Sequence, residues 1–97
     1  MNIIVIQGPP ASGKTRYAER FAKHFGVNEI IDDDRRMHDR EFPASSAIIL
    51  TQYSREAILT WRQKRSRRRQ VPLTAIRFVP IADALRAIGV MPAGARR

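Results

Sequence analysis

Residues 8–15 read Gly-Pro-Pro-Ala-Ser-Gly-Lys-Thr, which satisfies the spacing G-x-x-x-x-G-K-[ST]. A loop of this spacing turns its backbone N–H groups inward, and an inward set of amides is a receptor for phosphate oxygens. The parts follow from the chemistry. Gly8, Pro9, Pro10, Ala11, Ser12 and Gly13 form the cradle, Lys14 brings an ammonium group to the outer phosphates, and the Thr15 hydroxyl offers an oxygen to Mg²⁺. Arg16 stands at the exit of the loop. The ligand expected from this octapeptide is a nucleoside triphosphate.

Phosphoryl chemistry on such a ligand needs Mg²⁺ across the β and γ oxygens and a carboxylate near the metal to hold or orient its water shell. Asp32, Asp33 and Asp34 are the obvious source. Asp32 is expected on the metal side, with Asp33 orienting an attacking water or an acceptor hydroxyl. The alternative is a solvated acidic turn that answers Arg35 and Arg36. The lone His24 and His38 are expected at surface or packing positions.

The elements that must position these groups can be read around them. Ile3, Ile4, Val5 and Ile6 form a β-branched run ending at Gln7, a buried parallel strand feeding the loop. Tyr17, Ala18, Phe21, Ala22 and Phe25 recur at helical spacing, and Gly26 supplies the stop. Residues 27–31 make a short strand before the acidic triplet, and residues 35–42 read as loop closing at Pro43. Ala47, Ile48, Ile49 and Leu50 form a second buried run ending at Thr51 and Gln52. Ser54 caps a helix through about Arg67, whose inner face carries Ala57, Ile58 and Trp61. Residues 73–79 are expected as the last strand, interrupted by Arg77, and Pro80 opens a helix that ends at Gly89. Four strands alternating with three helices imply an α/β fold with a mostly parallel sheet, whose carboxyl ends gather the glycine loop, the Asp triplet, Thr51 with Gln52, and Pro80 on one rim.

The strand, glycine loop and helix in this order resemble a P-loop NTPase, and the Gly-Pro-Pro opening is similar to that of AAA-type ATPases and small P-loop kinases. The resemblance implies a minimal P-loop fold, ATP with Mg²⁺ as ligands, and hydrolysis or transfer of the γ-phosphate. ATP is preferred to GTP on family frequency, since no N-K-x-D guanine-reading motif is present. Val27, Ile30 and Ile31 before Asp32 and Asp33 look like a weak Walker B strand. Several small P-loop kinases carry acceptor-binding aspartates at this place, so a substrate clamp is a further reading of the triplet. The strand ending at Thr51 and Gln52 resembles the sensor-1 strand of AAA-type ATPases; polar capping of a strand end accounts for the same residues equally well. If it is the sensor-1 strand, one strand and one helix common in that family are missing. AAA resemblance implies a ring, but no C-terminal helical lid is visible, and a monomer or small oligomer is expected.

Arg62, Lys64, Arg65, Arg67, Arg68 and Arg69 are the densest basic cluster. At a helix C-terminus they suit the negative end of the dipole. They would also serve as a lid on a transferred phosphate, as arginine fingers toward a neighbouring subunit, or as a contact surface for nucleic acid. The whole chain of 97 residues carries 18 Lys+Arg against 9 Asp+Glu, a net charge of +9, with arginine far in excess of lysine. Such a field attracts nucleotides, nucleic acid or an acidic protein. A non-catalytic nucleotide-binding module with a basic partner surface is therefore the alternative function, and a small-molecule kinase another. Zero cysteines exclude disulfides, thiolate catalysis and thiolate zinc sites. The length fits one domain over residues 1–90, followed by a basic tail at 91–97. The apolar N-terminal run is too short for a signal-peptide core, and no segment reaches membrane-spanning length, so a cytoplasmic location without membrane contact is expected.

Overall fold

The structure, a computed structural model, describes residues 2–9, 14, 16–32, 39–66 and 71–90. In chain order these form β1 (Ile3–Gln7), α1 (Ala18–Phe25), β2 (Glu29–Asp32), β3 (Ala47–Thr51), α2 (Arg55–Lys64), β4 (Ile76–Pro80) and α3 (Ile81–Ala87). The strands make one four-stranded sheet in the order β2-β3-β1-β4, and each pairing is parallel. The α/β architecture expected from the alternation of strands and helices is the one observed.

Parallel strands need both faces covered, and the side chains alternate accordingly. Ile3, Val5, Ile31, Ala47, Ile49 and Ile76 pack with Ile58 and Trp61 of α2 on one face. Ile4, Ile6, Ile48, Leu50 and Val79 pack with Phe21 and Ala22 of α1 and Ala84 and Leu85 of α3 on the other. Right-handed crossovers explain this division. The chain moves one way along the sheet from β1 to β2 and the opposite way from β3 to β4, which puts the two linking helices on opposite faces.

The link from β2 to β3 runs in the same direction as that from β3 to β4, and its described part lies on the α2 face. Phe42 is 2% exposed in the α2-side core and meets Trp61 edge to face at 4.8 Å between ring centres. The Trp61 indole N–H donates to the Arg40 carbonyl at 2.8 Å, and the Phe42 N–H donates to the Arg65 carbonyl at 2.9 Å. Residues 40–42 thus cover sheet beside α2, as a crossover helix would.

Local chemistry sets the helix ends. Gly26 adopts φ 71°, and the Gly26 and Val27 N–H groups reach back to the Lys23 and Ala22 carbonyls, a Schellman closure whose hydrophobic partner is the buried Val27. Ser54 caps α2, its hydroxyl oxygen accepting the Ala57 N–H at 3.2 Å. Three expected boundaries shift, the first being β2, which covers Glu29–Asp32 in place of 27–31. α2 ends at Lys64, ahead of Arg67, and the strand expected from residue 73 starts at Ile76 because Leu73–Ala75 form a 3-10 turn behind Pro72. Leu73 is 55% exposed and contributes nothing to the core.

Candidate phosphate-binding site

Because all four strands run the same way, Gln7, Asp32, Thr51 and Pro80 come to one rim: Gln7 stands opposite both Thr51 and Pro80, and Asp32 opposite Leu50. β1 is central in the sheet, so Gly8 and Pro9 leave it in the crevice where the chain departs toward opposite sides, the place where open α/β sheets take ligands.

Lys14 is the buried cation of this rim. It is 7% exposed, and its Nζ donates to the carbonyl oxygens of Gly8 at 2.7 Å and Pro9 at 2.8 Å. An ammonium removed from water has to recover hydrogen bonds, and these two carbonyls supply short, charge-assisted ones. Gly8 is itself anchored, since its N–H donates to the Thr51 carbonyl at 3.1 Å. The loop therefore begins between a fixed strand end and a fixed cation.

Arg16 is exposed and lies over the Tyr17 ring at 5.5 Å; Arg20 lies over the same ring at 5.7 Å. Tyr17 is the N-cap residue of α1 and gives no side-chain capping bond. Pro10, Ala11, Ser12, Gly13 and Thr15 lie outside the described residues, as do Asp33, Asp34, Arg67, Arg68, Arg69 and the tail at 91–97.

Asp32 ends the edge strand β2, half-buried, with β3 between it and β1. Two strand spacings separate β2 from β1 by about 10 Å. Ile30 packs with the α1-side core and Ile31 with the α2-side core, so alternation turns Asp32 to the face of α1. Alternation from Ile49 turns Thr51 the other way, to the face of α2. Thr51 is fully buried, and its Oγ1 accepts the Tyr53 N–H at 2.9 Å. The capping contact foreseen as one reading of Thr51 is the contact found. Gln52 is exposed beside it.

Two contributors were not singled out in the sequence. Gln7 donates from Nε2 to the Tyr53 carbonyl at 3.2 Å, tying the β3–α2 turn to the residue before Gly8. The signal available was a polar residue directly before the loop and a threonine two positions before Tyr53, a spacing at which a hydroxyl bonds a backbone N–H.

The described members of the basic cluster, Arg62, Lys64 and Arg65, lie elsewhere. α2 starts after the rim end of β3 and runs back for about 15 Å, so Lys64 and Arg65 stand at the opposite end of the sheet, near the start of β4. Arg62 is occupied there, its Nε donating to the Val71 carbonyl at 2.7 Å.

Among the described residues the donor that suits a polyphosphate is the buried Lys14 ammonium, at the rim beyond the end of β1. Mg²⁺ takes few protein oxygens and keeps several waters. No three His, Asp or Glu side chains group into a metal cluster among the described residues. Nor does any helix among them have the length and apolarity to cross a membrane. No protein family, curated protein or solved structure matches the chain.

Proposed function

We propose that this chain is a P-loop protein that binds ATP with Mg²⁺ and hydrolyses or transfers the γ-phosphate. The observation that carries the reading is Lys14, a lysine 7% exposed whose Nζ is directed at the Gly8 and Pro9 carbonyls where the central strand opens onto the rim. Ala11, Ser12 and Gly13 would give backbone N–H groups to the phosphates, since Pro9 and Pro10 carry none and the Gly8 N–H is held by Thr51; Lys14 would exchange carbonyl oxygens for phosphate oxygens, and Thr15 with Asp32 would serve the metal. Mg²⁺, when bound, supplies neutralisation of the β and γ oxygens. The catalytic contribution of the chain is positioning and electrostatic stabilisation. Asp33 would orient water or an acceptor hydroxyl; in a small-molecule kinase the same acids would hold the acceptor. Calorimetric titration of Mg²⁺-ATP into the wild type and Lys14→Ala tests the reading. Saturable binding lost in the variant supports it, and equal binding by both removes it.

The placement of Lys64 and Arg65 at the far end of the sheet supports a second role for the basic cluster, as a surface for nucleic acid or an acidic protein that is used together with the nucleotide. RNA or DNA binding that falls steeply with salt and is undisturbed by ATP would support this role. Competition between the two ligands would return the cluster to the phosphate site as a lid.

A further inference from the structure

We infer that Thr51 is a positioning residue for the loop: it sets the direction in which Gly8 leaves β1 and, through Gly8, the place of the Lys14 ammonium. The inference rests on the phosphate-site reading above and adds to it a residue that touches no phosphate.

The connection is a continuous set of hydrogen bonds. The Thr51 carbonyl takes the Gly8 N–H at 3.1 Å, and the Gly8 carbonyl takes the Lys14 Nζ at 2.7 Å. Glycine has no Cβ to confine its dihedrals, so a glycine at the exit of a strand keeps its carbonyl direction only if the neighbouring peptide is held. Thr51 holds it. Thr51 closes the β1–β3 pairing opposite Gln7, and its side chain fixes the backbone that follows. Oγ1 accepts the Tyr53 N–H at 2.9 Å, which folds residues 51–53 into a tight turn, and the Tyr53 carbonyl then receives the Gln7 side-chain amide at 3.2 Å. The turn after β3 and the last residues of β1 are thereby joined twice, at Gly8 and at Gln7. Thr51 is fully buried, and its hydroxyl is engaged with the backbone of the turn that follows β3.

Thr51→Val keeps the β-branched shape and the buried volume but removes the acceptor. The Tyr53 N–H then loses its partner, the turn relaxes, and the Gly8 and Gln7 anchors loosen with it. The test is the affinity for Mg²⁺-ATP, measured by calorimetry at a temperature where circular dichroism shows each protein folded. Thr51→Val is expected to bind about fivefold more weakly, the equivalent of one lost hydrogen bond, and Thr51→Ser to return to within about twofold of the wild type. Gln7→Leu provides a second variant with a loss in the same direction. Ile58→Val, which trims the core under α2, serves as the control, because it lowers the melting temperature without touching the turn.

Weaker binding by Thr51→Val with rescue by serine, while Ile58→Val binds as the wild type does, supports the inference. Unchanged affinity in Thr51→Val and Gln7→Leu, or an equal loss in Ile58→Val, overturns it and leaves the phosphate site standing. A wild type that does not bind Mg²⁺-ATP overturns the phosphate site itself and this inference with it.

Discussion

The Lys14 ammonium lies 2.7 Å from the carbonyl oxygen of Gly8, so the first residue of the glycine loop and the cation near its end are directly hydrogen bonded. The Pro9 carbonyl, at 2.8 Å, makes a second such bond. An ammonium held this way is pre-positioned, and its two carbonyl bonds are short and charge-assisted.

Lys14→Met tests what the ammonium does apart from holding the loop. Lys14→Met takes the donor from the Gly8 and Pro9 carbonyls, which costs about 1–3 kcal/mol. The melting temperature of the variant alone should therefore fall by several degrees, roughly 5 °C or more. With Mg²⁺-ATP at about a hundred times its dissociation constant, the wild type should gain about 2.7 kcal/mol, a rise of roughly 10 °C or more. The variant should gain nothing. Calorimetric melting of both proteins, with and without nucleotide, provides the check.

Gly26→Ala isolates a backbone effect. Gly26 sits at φ 71° with nothing within 4 Å of the position a Cβ would take, so the substitution adds conformational strain and no clash. A left-handed alanine costs about 1 kcal/mol, which lowers the melting temperature by roughly 5 °C. Gly26→Asn should lose less, since asparagine tolerates this conformation better. Nucleotide affinity should be unaffected in both.

Phe42→Ala removes the ring that packs edge to face on Trp61 in the α2-side core. A phenylalanine truncated in a core costs about 3–5 kcal/mol, a large part of the stability of a domain this small. Urea titration should show the midpoint fall sharply. Trp61→Phe keeps the packing but drops the indole bond to the Arg40 carbonyl, and should cost about 1 kcal/mol.

Ser54→Ala removes the hydroxyl that accepts the Ala57 N–H at the start of α2. The expected loss is about 1 kcal/mol, seen as a drop of roughly 5 °C in a thermal melt. Ser54→Asp should retain most of the cap, because a carboxylate accepts the same N–H and suits the positive end of the helix dipole.

Much of the scaffold was legible because it rests on periodicity. The β-branched runs at Ile3 and Ala47 became central strands, the stripe containing Phe21 and Ala22 became the buried face of α1, and Gly26 closed that helix as its type suggests. What pattern reading missed depends on three-dimensional neighbours. Leu73 is apolar and precedes a strand, yet Pro72 starts a tight turn there and the side chain stays in solvent. The Phe42–Trp61 pair joins a link between strands to a helix that follows the next strand, and no spacing rule announces such a meeting. Strand order was equally hidden. An isolated run of apolar residues does not reveal that Thr51 will lie beside Gln7 while Asp32 goes to the edge. The glycine loop was legible as a motif, whereas the bonds that orient its entrance, from Thr51 and Gln7, came only with the register of the strands.

The edge position of β2 gives the rim an uneven firmness. β1 has a partner on each side, while β2 has β3 alone, over four residues, with Glu29 already in solvent. Amide protons of Glu29 through Asp32 belong to the part of the sheet that opens first, ahead of those around Gly8. Acid and ammonium therefore stand on ground of different stiffness: two carbonyls grip the cation beside the central strand, and the carboxylate closes a strand paired along one flank.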